Sequence, residues 1–237
     1  MMATMTSSKI RLSPSALNLF LDCRRCFWLD RVKGIKRPRG PYPTLPSGMD
    51  RVIKVYFDSF RLKGELPPEL QVEGFRDIQL FPDQAKLDAW REWRTGLEFT
   101  DVDGSSLGGA VDDLLVKGDQ LIPLDYKTKG SPTSVESAVK YYQNQLNCYG
   151  LLLHENHFPL AGYGFLFFYS PKALSEGPSA RFQLQAIKVR LEIETARDNF
   201  RLAVGFLKGP LPKIENVCEY CAWARRSAQA PEEPAGF

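Results

Sequence analysis

The chain has 237 residues, 43% apolar and 25% charged, ordinary values for a globular protein that can bury a core without disulfide staples. No apolar run approaches the roughly 20 residues a bilayer span needs, so a membrane protein is not expected. The net charge is only +3, yet Lys9, Arg11, Arg24, Arg25, Arg31, Lys33, Lys36, Arg37 and Arg39 crowd one N-terminal stretch against Asp22 and Asp30. A solvated face would explain this run, and so would contact with nucleic-acid phosphates.

The first 15 residues lack an apolar core, so no secretory signal is expected. The expected compartment is the cytoplasm, where thiols stay reduced. Ser13 and Pro14 read as the cap and first residue of a helix running through Phe27. Residues 34–48 are rich in Pro and Gly and read as a loop. Met49–Lys63 follows helical spacing, with Gly64 placed to end it. A short helix is expected over 84–93.

The period then changes. Residues 106–130 read as two strands joined by a turn at Lys117–Gln120. A long helix capped by Ser134 follows, then strands in "AGYGFLFFYS" and "ARFQLQAIKVR", and a helix over 192–208 ended by Gly209 and Pro210. The order predicts a mixed α/β core. Residues 1–226 are expected to form a single domain and 227–237 a disordered tail.

Asp112 falls in the first central strand and Asp125 and Lys127 in the second. Side chains alternate along a strand, so Asp125 and Lys127 share one face while Tyr126 and Asp113 point to the other. Pairing the strands can bring Asp112 beside Asp125. Adjacent carboxylates repel unless neutralised, and a hard divalent cation does this with oxygen ligands. A nearby ammonium can orient a water and stabilise a pentavalent phosphate. A solvated hairpin is the bland alternative, but both strands are too apolar for it.

Two Cys pairs stand apart near the chain ends, Cys23 with Cys26 and Cys218 with Cys221, while Cys148 lies in an apolar helical stretch and reads as core. Two C-x-x-C pairs can close a four-sulfur site that clasps the N-terminal helix to the C-terminal end. His154 and His157 read as surface or capping residues. Trp28, Trp90, Trp93 and Trp223 read as packing residues. No phosphate-binding loop of the G-x-x-x-x-G-K-[ST] kind is present.

"GAVD" with Asp112, "LDYKTKG" with Asp125 and Lys127, and "QLNCY" with Gln145 and Tyr149, in this order, resemble the PD-(D/E)XK nuclease superfamily. The resemblance is greatest to its RecB-like branch, which includes the RecB and AddB nuclease domains and CRISPR-associated RecB-like exonucleases. It implies a restriction-endonuclease-like core: a central mixed β-sheet flanked by helices, with the Cys clasp joining the two ends of the domain. It also implies a Mg²⁺- or Mn²⁺-dependent deoxyribonuclease, an exonuclease or single-strand-preferring enzyme of DNA repair, recombination or CRISPR-associated processing. Asp112, Asp125 and the carbonyl of Tyr126 would hold the metal, and Lys127 would orient the attacking water. Gln145 and Tyr149, four apart on one helix face, would shape the site and contact DNA.

Two departures accompany the resemblance. Where the family carries a metal-binding His, this chain has Asp50, a hard-cation ligand or a helix N-cap. Where related clasps have one N-terminal and three C-terminal cysteines, this chain has two and two. By resemblance the clasp holds [4Fe–4S], with Zn²⁺ the alternative. The implied partners are DNA, bound without sequence specificity, and repair or CRISPR-associated proteins. A catalytically weak nucleic-acid-binding or interaction subunit of the same fold is the alternative function.

Overall fold

The computed structural model describes residues 9–38, 40, 44–174, 177, 179–214 and 218–229. The elements in chain order are β1 (Arg11–Leu12), α1 (Pro14–Asp22), α2 (Arg24–Lys33), α3 (Thr44–Arg61), β2 (Gln79–Leu80), α4 (Gln84–Arg91), β3 (Leu97–Thr100) and β4 (Ser106–Gly109). There follow β5 (Asp113–Lys117), β6 (Gln120–Thr128), α5 (Val135–Glu155), β7 (Tyr163–Leu174), β8 (Ala180–Arg190), α6 (Ile193–Leu207) and α7 (Glu219–Ala228). No helix among the described residues is long and apolar enough to cross a membrane.

A five-stranded sheet runs β2-β5-β6-β7-β8. Only β6 and β7 pair in parallel, and α5 is the crossover between them. Alternation along these strands gives the sheet two apolar faces. Leu114, Leu166, Phe168 and Ile187 pack with α1, α5 and α6. Leu115, Ile122, Phe165 and Phe167 pack with Ile53 and Phe57 of α3. This is the expected mixed α/β sandwich of helices about a central sheet. A second, three-stranded sheet, β1-β4-β3, was not expected from the sequence. Its strands have two to four residues, too few to show a period.

The structure corrects three boundaries. The expected N-terminal helix is broken at Cys23, whose φ of −156° and ψ of 108° end α1 and start α2. Cys23 serves as N-cap, its Sγ accepting from the Cys26 N–H at 3.5 Å. Helix α3 begins at Thr44 rather than Met49. Pro46 is its third residue, where the N–H has no intrahelical partner to lose, so the proline does not stop it. The first central strand is two strands, β4 in the small sheet and β5 in the large one, with Asp112 in the connection between them. The turn at Lys117–Gln120 is as expected, with Gly118 at a φ of +62° that suits glycine. Of the expected tail, Ser227 and Ala228 close α7, and residues 230–237 lie outside the described residues.

One polar cluster penetrates the α3 face of the sheet. The fully buried Asp113 accepts from Arg61 Nη2 at 2.6 and 2.7 Å, from Arg91 Nη2 at 3.1 Å and from the Tyr126 hydroxyl at 2.7 Å. Arg61 also donates to the Phe81 carbonyl, and Arg91 to Asp58. A buried charge pair is costly to break because the survivor is left unpaired. We predict that Asp113→Ala lowers unfolding free energy by about 3–5 kcal/mol, measured by urea denaturation. A loss within that of an ordinary surface substitution would show that the cluster does not anchor α3.

Candidate active site

The antiparallel register pairs Asp113 with Leu124, which sets Asp112 opposite Asp125 one residue further along. Asp125 is fully buried on the α5 side of the sheet, with Lys127 beside it in ion-pair contact. Tyr126 points the other way, into the Asp113 cluster. The convergence expected of Asp112, Asp125 and Lys127 is therefore present, although Asp112 reaches it from a connection rather than from within a strand. Arg91 Nε holds that connection by donating to the Asp112 carbonyl at 2.8 Å.

The two carboxylates titrate in opposite directions. Burial and the adjacent Asp112 charge push Asp125 well above the usual carboxylate range, against the pull of Lys127. Burial would raise Asp112 also, but the Lys54 charge, the Lys54 hydrogen bond and the Lys127 charge outweigh it and hold Asp112 below its usual value. Neither Asp125 oxygen has a donor in hydrogen-bonding geometry, despite full burial and the ion contact with Lys127. Asp125, fully buried with both oxygens unsatisfied, and the half-buried Asp112 beside it, next to the backbone of Tyr126, form a hard oxygen donor set of the kind that suits a divalent cation.

Lys54 was missed in the sequence. Its Nζ bridges Asp50 Oδ2 at 3.0 Å and Asp112 Oδ1 at 2.9 Å. The i,i+4 spacing of Asp50 and Lys54 was the available signal. Because α3 starts at Thr44, Asp50 lies in its second turn and does not cap it, which corrects one of its two expected roles. Asp50 faces the site through Lys54, so direct coordination by Asp50 would require that ammonium to withdraw.

Gln145 and Tyr149 lie on one face of α5, with Gln145 Nε2 donating to the Tyr149 hydroxyl at 2.6 Å. Burial, then the charges of Asp112 and Asp125, raise Tyr149 well above the usual phenol value, so it stays neutral. Lys127 Nζ lies 5.2 Å from the Tyr142 ring on the same helix. Gln145 and Tyr149 line a cavity of about 390 Å³ with Arg11, Arg31 and Trp93. Trp28 and Trp90 are buried packing residues as expected, but Trp93 and Trp223 are exposed, which corrects their reading as packing residues. His154 and His157 are at the surface.

Cys23, Cys26, Cys218 and Cys221 meet as a buried group whose sulfurs all lie within 4.8 Å of one another. Three of the six separations are 3.8 Å for Cys23–Cys221, 3.7 Å for Cys26–Cys218 and 3.6 Å for Cys26–Cys221. Among the described residues this is the one group of three or more His, Cys, Asp or Glu close enough to share an ion. Arg37 donates to Cys218 Sγ at 3.2 Å, pairs with Asp22 at 2.6 Å and lies over Tyr220. The basic N-terminal run is thus divided: Arg37 serves the cysteine group, Arg11 and Arg31 the cavity, and Arg39 lies outside the described residues.

The sign of the Asp125 shift makes a stability prediction. A carboxyl whose folded pKa is raised stabilises the fold most below its unfolded value near 4, and that contribution is lost as pH rises through the folded value. Asp125→Asn removes the buried charge and mimics the favoured neutral form. In EDTA at pH 7.5 it should therefore be more stable than the wild type, by ~1–2 kcal/mol, with the gap closing on acidification toward pH 4. Thermal melts across that range check this, and a less stable Asp125→Asn at pH 7.5 would contradict it.

A model of the PD-(D/E)XK nuclease superfamily matches residues 72–226. Among curated proteins no match was found. Among solved structures, the crystal structure of SSO0001 is similar with 14% identity and a TM-score of 0.49, covering 94% of this chain and 88% of that one. An alkaline exonuclease from Laribacter hongkongensis is similar with 10% identity and a TM-score of 0.44, covering 92% and 93%.

Proposed function

The chain belongs to the PD-(D/E)XK nuclease superfamily, and from that premise we propose that it is a divalent-metal-dependent deoxyribonuclease. The observation that carries this reading is the meeting of Asp112, Asp125 and Lys127 beside unsatisfied, buried carboxylate oxygens. Asp112, Asp125 and the Tyr126 carbonyl would hold Mg²⁺ or Mn²⁺, with Asp50 behind Lys54. The bound ion supplies charge stabilisation and lowers the pKa of water. Lys127 orients the attacking water toward phosphorus from its place against Asp125 and Tyr142. Lys54, paired with Asp112 at 2.9 Å, would be a second cation for the phosphate. Tyr149, neutral beside both acids, and Gln145 position the strand. The order G-x-x-D, D-x-K, Q-x-x-x-Y supports the RecB-like branch and an exonuclease role in repair, recombination or CRISPR-associated processing.

The test is digestion of end-labelled single- and double-stranded DNA with Mg²⁺ or Mn²⁺. Wild type should cleave, EDTA should stop it, and Asp125→Ala should lose roughly 10³-fold or more in rate while remaining folded. Wild-type-like cleavage by pure Asp125→Ala would overturn the assignment. Metal-dependent DNA binding without cleavage by wild type would favour the binding-subunit alternative.

For the cysteine group we propose a structural metal clasp. A tetrahedral ion with bonds of ~2.3 Å holds its sulfurs ~3.8 Å apart, close to the three separations of 3.6 to 3.8 Å, with all six sulfur pairs within 4.8 Å. A [4Fe–4S] cluster gives each iron its own thiolate and spreads the sulfurs over a larger cage. The spacing therefore supports a single ion such as Zn²⁺ over the cluster that resemblance suggested. Anaerobic purification should give one zinc per chain and no visible absorption. Iron with a broad visible band would reverse the choice, and a Cys218→Ser protein with unchanged metal content and melting temperature would remove the clasp altogether.

A further inference from the structure

The cavity beside Gln145 and Tyr149 is not accounted for by metal-site chemistry. Its volume of about 390 Å³ falls within the range of small-ligand sites, ~300–1,000 Å³. Three chemistries converge on it. Arg11 and Arg31 bring guanidinium groups, each paired with one acid, the exposed Glu98 at 3.1 Å and the largely buried Asp30 at 3.0 Å. The exposed Arg11–Glu98 pair is weak and can be exchanged for a phosphate, and the Arg31 guanidinium keeps an exposed side toward the cavity. Gly108 gives a bare backbone wall, where an added Cβ would come 2.5 Å from the Arg11 guanidinium. Trp93 supplies an indole that is 62% exposed, held in the turn between α4 and β3 with the Arg94 guanidinium 5.0 Å from its ring. Trp93 belongs to neither apolar core and presents its ring to this cavity's lining.

We infer that this cavity is a nucleotide subsite, in which the base of an unpaired deoxynucleotide stacks on Trp93 while Arg11 and Arg31 hold the neighbouring phosphates. The inference rests on the nuclease reading and names its substrate class. A base inside a duplex has both faces covered by its neighbours, so only an unpaired base can offer a face to an indole. Phosphate contacts alone would serve either form of DNA. The subsite therefore favours single-stranded or frayed ends, and it does so next to the acids, because Tyr149 lines the cavity and also stands beside Asp112 and Asp125.

The experiment measures binding in the full-length Asp125→Ala protein, where cleavage cannot interfere, by anisotropy of labelled single- and double-stranded oligonucleotides. Trp93→Ala should weaken single-strand binding on the order of tenfold and leave duplex binding unchanged. Trp93→Phe should retain most of the affinity. Arg31→Ala should reduce the salt dependence by about one phosphate contact. A 2-aminopurine in the single strand should be quenched on binding with Trp93 present and not with Trp93→Ala. The inference fails if Trp93→Ala binds single strands as tightly as its parent, or loses single- and double-strand binding equally. Should Trp93→Ala melt early, absence of 2-aminopurine quenching in the Trp93-containing parent overturns the inference by itself. If the wild type cleaves DNA and these results fail, only the subsite falls. If the wild type neither binds nor cleaves DNA, the nuclease reading falls with it.

Discussion

The Asp113 carboxylate, buried between Arg61, Arg91 and Tyr126, fixes α3, α4, β5 and β6 relative to one another. The same helix, and one of the same arginines, also reach the Asp112 side. Lys54 and Arg61 stand seven residues apart on α3, two helical turns, and so share a face. Lys54 engages Asp112 and Arg61 engages Asp113. Arg91 binds the Asp113 side chain and the Asp112 carbonyl together. Two consecutive aspartates, one in the connection and one at the start of β5, are thereby held in different settings. One is fully satisfied and structural, and the other is half-buried and paired with Asp125.

Strand alternation makes this division possible. Tyr126 contributes its hydroxyl to the structural side, while its neighbours Asp125 and Lys127 face α5. The satisfied side stabilises the fold, and the unsatisfied side destabilises it. A fully buried carboxylate beside another acid, lacking hydrogen-bond donors, persists only where the surrounding structure over-determines its position. The Asp113 cluster and the apolar packing of β6 against β7 supply that constraint. This is the arrangement expected where charge is stored for a ligand rather than for stability.

The motifs of the site were legible because each is local. Asp125 and Lys127 are two apart on a strand, and Gln145 and Tyr149 four apart on a helix, so period alone predicts which side chains point together. The hairpin turn at Gly118 then sets Asp112 against Asp125. What was not legible depends on tertiary partners. Nothing in the sequence joins Arg61 to Asp113 across 52 positions, or Arg91 to both sides of the same connection. The β4–β5 break was hidden because the junction, Ala110–Asp112, is only three residues long and its signals, Gly108, Gly109 and Asp112, were read as part of one continuous strand. The start of α3 was hidden by Pro46 and Gly48, which read as loop residues although the first turns of a long helix tolerate them. Trp93 looked like core because composition cannot tell a buried indole from one in a turn.

The clasp explains how a short N-terminal segment comes to wall an active-site cavity. Helices α1 and α2 carry Pro14, which packs so closely on Gly109 that an added Cβ would lie 3.2 Å from it, and Arg31, which lines the cavity. Alone, two helices of 9 and 10 residues are too short to persist in water. They are tied at several points: Phe20 against Phe206 of α6, Trp28 Nε1 to the Gly209 carbonyl at 2.9 Å, Arg25 to the Pro212 carbonyl, and Cys23 and Cys26 to the cysteines of the α7 region. A metal gathered by four thiolates would add its binding free energy to the folded state alone, since the ligands come together only there. The position of Arg31, and with it the cavity end proposed to hold phosphate, would then be coupled to such a metal through the ten residues of α2. Loss of the ion would loosen the strand-holding wall before it disturbed Asp112 and Asp125, which are anchored independently by Arg91 and the central sheet.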